Sequence, residues 1–339
     1  MSDSQARSRL RTSTPTLQML WETADPAEIL STRFHLSNAD DAARRVTDLL
    51  WVHWGVTVSC CDRIVLSDHN ALAWVTTPAG RMILKWSVAP DRFPRLQALS
   101  RLTTWLDSAG LPVSPPVPTL DGRLHLLVGG NSIGLQRHID GELLDPSQPA
   151  QVRKAGVTLS RLHHALARYL DVGRIPDLTA PASPLSDQLS SWLDRHAAHV
   201  PPTVLGSLRQ VSNQRLPDPG PAQIVHGDYR SANLIADDTQ IRAVLDFEEV
   251  RIDYRIAELA RSAVLLGTRF RHWEPVPVDV HRAFFDSYQD CQQLTSIETR
   301  WWKPLLLWSS LQMAAGTHTS SAWWTSVHEQ LRGSGDSRA

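Results

Sequence analysis

The chain has 339 residues, 42% hydrophobic and 20% charged, which is enough apolar material for two packed domains or lobes at ~100–200 residues each. Its 34 Lys plus Arg against 35 Asp plus Glu leave a formal net charge of −1, without the basic excess of a nucleic-acid binder or the acidic run of a solvating tail. No apolar stretch reaches the ~18 residues of a membrane span, and residues 1–18 lack the apolar middle of a secretory signal. Cys60, Cys61 and Cys291 supply neither a disulfide framework nor a metal-binding spacing. The expectation is a cytoplasmic protein with no membrane or nucleic-acid partner. Only three of the cations are lysines: Lys85, Lys154 and Lys303.

Residues 1–20, rich in Ser, Thr, Arg and Gln, are expected to form a flexible leader, and 332–339 a flexible tail. A helix over 38–54 follows from the spacing of Ala43, Val46, Leu49 and Leu50, with Asn38 as its N-cap. Short β-branched or aromatic runs at 63–66, 71–76 and 81–86 are separated by turn residues and predict a three-stranded antiparallel meander. A helix over 93–108 ends at Gly110-Leu111-Pro112, and two more strands fit 124–128 and 133–138. From Pro149 onward the pattern is helical, for example over 151–170 and 184–198, with one β-rich island at 223–246. The reading is α+β: a leader (1–20), a small antiparallel-sheet lobe (21–137), a larger helical lobe (138–331) and a tail (332–339).

The island carries the chemistry. Ile224-Val225 lead into His226-Gly227-Asp228, which places Asp228 just past a strand end on a turn that Gly227 permits. Asn233 follows five residues later, then Leu234-Ile235, a turn at Asp237-Asp238, and a second apolar run that ends in Asp246-Phe247-Glu248. Two antiparallel strands would bring Asp228, Asn233 and Asp246 to one end of a hairpin. Two carboxylates and an amide oxygen there suit a hard cation such as Mg²⁺, with one group left to meet a nucleophile. Any one of these residues alone reads as a turn former; the H-G-D-x-x-x-x-N spacing ahead of D-F-E does not.

These motifs resemble the aminoglycoside phosphotransferase / choline kinase superfamily, small-molecule kinases with a two-lobed protein-kinase-like fold, over roughly residues 40–300. The resemblance implies ATP and Mg²⁺ as cofactors, Asp228 as the catalytic residue facing the acceptor hydroxyl, and Asn233 and Asp246 as the metal ligands. It makes His226 a loop-organising residue. In the first lobe it makes Lys85, on the strand over 81–86, the cation for the nucleotide phosphates. Ser67 and Asn70 would bound the phosphate loop, and Gln136 and His138 would lie in the hinge segment that meets adenine. Two departures stand out. The loop Ser67-Asp68-His69-Asn70 has no glycine, and residues 92–106 hold no Asp or Glu to pair with Lys85, leaving Gln97 as a hydrogen-bonding substitute.

The expected reaction is transfer of the ATP γ-phosphate to a hydroxyl of a small molecule. Three acceptor classes stay open. Carboxylates such as Asp253, Asp286 and Asp290 would suit a polycationic antibiotic such as an aminoglycoside. Trp301, Trp302, Trp308, Trp323 and Trp324 would cage an amino alcohol such as choline, or else form ordinary core. The arginines, among them Arg251, Arg255 and Arg261, would suit a carboxylate-bearing acceptor such as homoserine. Glu258 reads as a helix charge or a loop anchor. The alternative function is a nucleotide-binding regulator of the same fold with little turnover.

Overall fold

The computed structural model describes residues 14–178, 180, 183–316 and 321–335. The chain forms two compact units. One comprises Met1–Ser108, Val113–Ile139 and Gly173–Pro176; the other comprises Ala109–Pro112, Asp140–Val172 and Asp177–Ala339.

The first unit runs β1 (Thr16–Met19), α1 (Pro26–Phe34), α2 (Ala39–Trp54), β2 (Cys60–Leu66), β3 (Asn70–Thr77), β4 (Gly80–Ser87), α3 (Phe93–Ser108), β5 (Leu126–Val128) and β6 (Asn131–Arg137). One six-stranded sheet has the order β1-β2-β3-β4-β6-β5. It is antiparallel except for the parallel β1–β2 pair. The expected meander is β2-β3-β4. Helix α2 starts where Asn38 accepts from the Asp41 amide at 2.9 Å, and it stops at Gly55 in the left-handed region, φ 65°. Alternate residues of β3 (Ala71, Ala73, Val75) and β4 (Met82, Leu84, Trp86) enter one core with Val46 and Leu50 of α2. Phe34 closes that core edge-on against Trp86, with ring centroids 5.8 Å apart.

The leader expected over 1–20 needs correction. Thr16–Met19 is a strand whose register matches Thr16 to Arg63 and Met19 to Leu66, with Met19 in the core; residues 1–13 lie outside the described residues. The start of the expected tail is also ordered, because the last helix continues to Gly335.

The second unit runs β7 (Glu142–Leu143), α4 (Pro149–Leu166), α5 (Leu185–His196), α6 (Pro202–Asn213), β8 (Gln223–Val225), β9 (Leu234–Ala236), β10 (Ile241–Val244), β11 (Arg251–Asp253), α7 (Arg255–Leu265), α8 (Val278–Gln289), α9 (Ser296–Ala314) and α10 (Ser321–Gly335). The sheets here are small: β10-β9-β7 and β11-β8, all antiparallel. Helices α4 and α8 approach closely at Gly156, where a Cβ would run into the Ser287 hydroxyl and the Phe284 carbonyl. Helix α9 begins with a capping box: Thr295 Oγ1 accepts from the Glu298 amide at 3.1 Å, and Glu298 accepts from the Thr295 amide at 2.7 Å. Arg255 at the start of α7 forks onto both oxygens of the buried Glu298, at 2.6 and 2.8 Å, which ties α7 to α9.

Two glycine substitutions should move stability in opposite directions. Gly156→Ala forces α4 off α8 and is expected to cost about 1–3 kcal/mol. Gly206→Ala, on the exposed face of α6 with nothing near its added Cβ, should stabilise by roughly 0.5–1 kcal/mol. Denaturant melts of the two variants check both signs.

Candidate active site

Strand β8 delivers the chain into His226-Gly227-Asp228. Gly227 has φ +87°, and a Cβ there would collide with the Glu249 carbonyl, so no other residue fits. The loop is held from below by one buried side chain. Glu258 of α7, 1% exposed, accepts from the His226 amide through Oε2 at 3.0 Å and from the Gly227 amide through Oε1. His163 of α4 donates from Nε2 to the same Oε2 at 2.7 Å, and its Nδ1 lies 2.9 Å from the Tyr288 hydroxyl of α8. Burial pushes the Glu258 carboxyl up. The His163 hydrogen bond and charge, followed by the charges of His226 and Arg251, outweigh burial and hold it at about 2. Glu258 is therefore the loop anchor, acting on the backbone ahead of Asp228.

His226 organises the loop, as the family resemblance implied. Its Nδ1 accepts from the Asp228 amide at 3.2 Å, and its Nε2–H donates to the Leu245 carbonyl at 2.9 Å. These partners assign the Nε2–H tautomer. The Leu245 amide in turn donates to the Asn233 carbonyl at 2.8 Å. Leu245 is thus gripped from both sides, and the next residue is Asp246.

Hydrogen bonds tie Asn233 to Asp228 and hold the residue before Asp246 next to both His226 and Asn233. Asn233 ends a 3₁₀ turn, Ser231–Asn233, just before β9. Its Nδ2 donates to the Asp228 carbonyl at 2.9 Å and to Asp228 Oδ2 at 2.8 Å. That fixes the amide orientation and leaves Oδ1 as its outward acceptor. Asp246 has φ 59°, a left-handed conformation that costs a non-glycine residue about 1–3 kcal/mol and clusters at functional sites. Its carboxylate is exposed and makes no hydrogen bond or ion pair among the described residues. These atoms fit a hard cation. Among the described residues no three His, Cys, Asp or Glu side chains converge as a closed metal cage. An open site of one amide oxygen and one carboxylate is what Mg²⁺ uses when substrate phosphates and water complete its shell.

Sequence reasoning did not find Arg230 as a partner of Asp228. Arg230 Nε bonds both Asp228 oxygens, at 3.0 and 2.9 Å, while its guanidinium lies over the Trp273 ring at 5.0 Å. Two residues of separation was the available signal.

In the first unit, Lys85 lies mid-strand in β4, opposite Leu72 of β3 and Gly134 of β6, on the face away from Met82, Leu84 and Trp86. Ser67 closes the β2–β3 turn, its amide and hydroxyl both donating to the Asn70 carbonyl at 2.8 and 3.1 Å. Asn70 pairs with Ser87 near one end of β4, and Gln136 pairs with Ile83 near the other. Gln136 Nε2 donates to the Ser114 carbonyl at 2.8 Å, and the His138 amide donates to the Arg81 carbonyl at 3.0 Å. The His138 N–H is therefore committed within the sheet. Gln97 of α3 is exposed and makes no hydrogen bond among the described residues, so it does not act as the hydrogen-bonding substitute for the Asp or Glu that residues 92–106 lack.

Of the two readings of the tryptophans, cage or ordinary core, Trp301 and Trp323 follow the second. Trp301 and Trp323 are fully buried, with their indole N–H groups donating to the Pro217 and Trp273 carbonyls at 2.8 and 3.0 Å. Trp302 stacks on Phe285 and Trp308 meets Trp192 edge-on. Trp301 and Trp323 are core residues.

Glu258→Gln removes the buried charge and should cost about 3–5 kcal/mol. The sign with pH follows from a carboxyl held at about 2 against an ordinary 4.5. Its stabilisation is complete above the ordinary value and drains as pH falls toward 2. Unfolding midpoints measured against pH should show a steeper acid limb for the wild type than for Glu258→Gln.

A family model described as the phosphotransferase enzyme family matches residues 67–296. Acyl-CoA dehydrogenase family member 11 of Gallus gallus is 28% identical over 184 residues, which are 50% of this chain and 22% of that protein. The chain thus spans about a fifth of that relative's length. Among solved structures, macrolide 2′-phosphotransferase MphH from Brachybacterium faecium is 16% identical, with 85% of this chain and 97% of that one covered and a TM-score of 0.56. Amicoumacin kinase hAmiN, in complex with AMP-PNP, Ca²⁺ and Ami, is 13% identical over 87% and 93%, with a TM-score of 0.55. A microcompartment-associated aminopropanol kinase is 15% identical over 85% and 94%, with a TM-score of 0.54. At these identities the likeness is one of fold: α+β and kinase-like, with a sheet-rich first unit and a mainly helical second. With its family model spanning more than half of the residues, the chain belongs to the phosphotransferase enzyme family.

Proposed function

We propose that the chain is a Mg²⁺-dependent kinase that moves the γ-phosphoryl group of ATP to a hydroxyl of a small molecule. The observation that carries this reading is the Asp228–Asn233 hydrogen bond, at 2.8 Å, beside an exposed, strained Asp246. The likenesses to a kinase solved with AMP-PNP and Ca²⁺ and to one solved with ADP support the choice of nucleotide and divalent cation. No helix among the described residues is long and apolar enough to cross a membrane. We place the activity in the cytoplasm, where ATP is supplied and unpaired cysteines persist.

Each residue has a role in the proposal. Asp228 accepts a hydrogen bond from the acceptor hydroxyl, aims its oxygen at the γ-phosphorus and takes its proton late. The new bond joins that oxygen to phosphorus, the bond from phosphorus to the β–γ bridging oxygen breaks, and its electron pair leaves with ADP. Asn233 Oδ1 and the Asp246 carboxylate would hold Mg²⁺, which when bound neutralises charge on the phosphates. Lys85 contributes an ammonium to those phosphates. Ser67 and Asn70 shape the turn beside them, and Gln136 and His138 mark the segment for adenine. Most of the rate enhancement comes from positioning and charge neutralisation. The lack of Asp or Glu over residues 92–106 favours a second reading, a nucleotide-binding regulator with little turnover.

Asp228→Asn should lower Mg²⁺-dependent ADP release by about 10²–10⁴-fold while ATP affinity stays within a few-fold. Asp246→Ala should lose Mg²⁺-dependent ATP binding as well. Wild-type turnover in Asp228→Asn would remove Asp228 from catalysis. Tight Mg²⁺-ATP binding with no transfer to any acceptor would favour the regulator.

A further inference from the structure

Around Asp228 the second unit holds three guanidinium groups, and their donors are unequally used. Arg251 is satisfied, with Nη1 donating to the Gly227 carbonyl at 3.0 Å and Nε to Asp253 at 3.1 Å. Arg230 spends Nε on Asp228, while its Nη1 is buried and has no acceptor among the described residues. Arg261 is the extreme case. It lies on α7 one turn beyond Glu258, the side chain that holds the Gly227 amide, and so faces the same loop. It makes no hydrogen bond or ion pair among the described residues, and its Nε is buried without an acceptor.

Such an arrangement is expensive. A largely buried guanidinium without an acceptor loses its hydration and gains no bond in return. Burial and the neighbouring charges of Arg251 and Arg230 push the Arg261 guanidinium down, and Asp228 and Glu258 pull it back up. The local anions do not serve it. Asp228 is bonded by Arg230 and Asn233, and Glu258 by His163 and two backbone amides. An unsatisfied charge kept at such a cost beside the catalytic loop marks a place where a ligand completes the bonding.

We propose that the acceptor carries an oxyanion, a carboxylate or a phosphate, near its reacting hydroxyl, and that Arg261 and Arg230 receive it. A planar fork of donors matches those two groups and repels an ammonium. The acceptor is preferred over the nucleotide as the source of the oxyanion because Arg230 is bonded to Asp228, the carboxylate proposed to meet the acceptor hydroxyl. The inference rests on the kinase reading above and selects the anionic class from the three that the sequence left open. Arg261 is a specificity-determining residue in this account.

The test uses the full chain with saturating Mg²⁺-ATP. Four sets of probes are compared by ADP release and by titration calorimetry: hydroxycarboxylates of graded length, hydroxyalkyl phosphates, the matching diols and the matching amino alcohols. At least one anionic probe should exceed its diol and its amino alcohol by ~100-fold or more in kcat/KM. Carboxylates and phosphates form separate arms, and the better arm names the oxyanion. Arg261→Gln should raise the KM of that acceptor about tenfold or more while Mg²⁺-ATP affinity stays within about twofold, which a merely structural residue would not do. Its melting temperature should be unchanged or higher, because an unsatisfied charge is removed. Arg261→Lys, with charge but no fork, should fall between the two.

The proposal is overturned if a diol or amino alcohol is the better acceptor, or if the anionic preference survives in Arg261→Gln. It is equally overturned if the loss falls on Mg²⁺-ATP, or if no anionic probe binds in the millimolar range. Mg²⁺-ATP binding and the Asp228→Asn control are read separately. If those hold while anionic probes fail, only the acceptor assignment is lost; if Mg²⁺-ATP does not bind, the kinase reading itself falls.

Discussion

One buried carboxylate sets the geometry of the candidate site. Glu258 takes the two amides ahead of Asp228 and is itself fixed by His163, which Tyr288 backs. A charge-assisted bond to backbone N–H groups in a low-dielectric interior is strong and directional. It decides where Asp228 stands before any ligand arrives. From there the order passes through His226 to Leu245, and through Leu245 to Asn233 and Asp246. The helices serve this arrangement: α4 brings His163, α7 brings Glu258, and α8 brings Tyr288 as close as Gly156 allows.

The sequence made Asp228, Asn233 and Asp246 legible because their chemistry is local. Five residues separate the first two, and a short apolar run with a turn leads to the third. The meander β2-β3-β4 was legible for the same reason: period-2 patterning and turn residues act over a few positions. The anchor was only half visible. Glu258 reads as a loop anchor on a helix, but its partner His163 lies 95 residues away, and His163 lies 125 from Tyr288. No spacing rule reaches that far. Strand β1 escaped because Thr16–Met19 is short and follows a polar stretch, and it gains order from parallel pairing with β2. Strand β11 escaped because two of its three residues, Arg251 and Asp253, are charged and bond each other.

The burial of individual side chains bears on function. The tryptophans that suggested a cationic cage include Trp301 and Trp323, which lie in the core with their N–H groups satisfied. The arginines near Asp228 include two, Arg230 and Arg261, with buried donors that have no acceptor among the described residues. Core aromatics cannot receive a ligand without dismantling the fold, whereas an unmet guanidinium gains by receiving one. The fold hosts kinases of unrelated acceptors, so the choice among acceptor classes has to come from such site chemistry. In the first unit β4 sets Lys85 between Leu72 of β3 and Gly134 of β6.

The central claim is that Asn233 and Asp246 form an open cation site that works with a nucleotide. Its most direct measurement is the affinity of the wild-type chain for ATP, by titration calorimetry, with Mg²⁺ and with the cation removed by chelation. The account predicts at least ~10-fold tighter binding with Mg²⁺, since Asn233 and Asp246 would hold the cation and it would neutralise charge on the phosphates. Equal affinity in both conditions would contradict it.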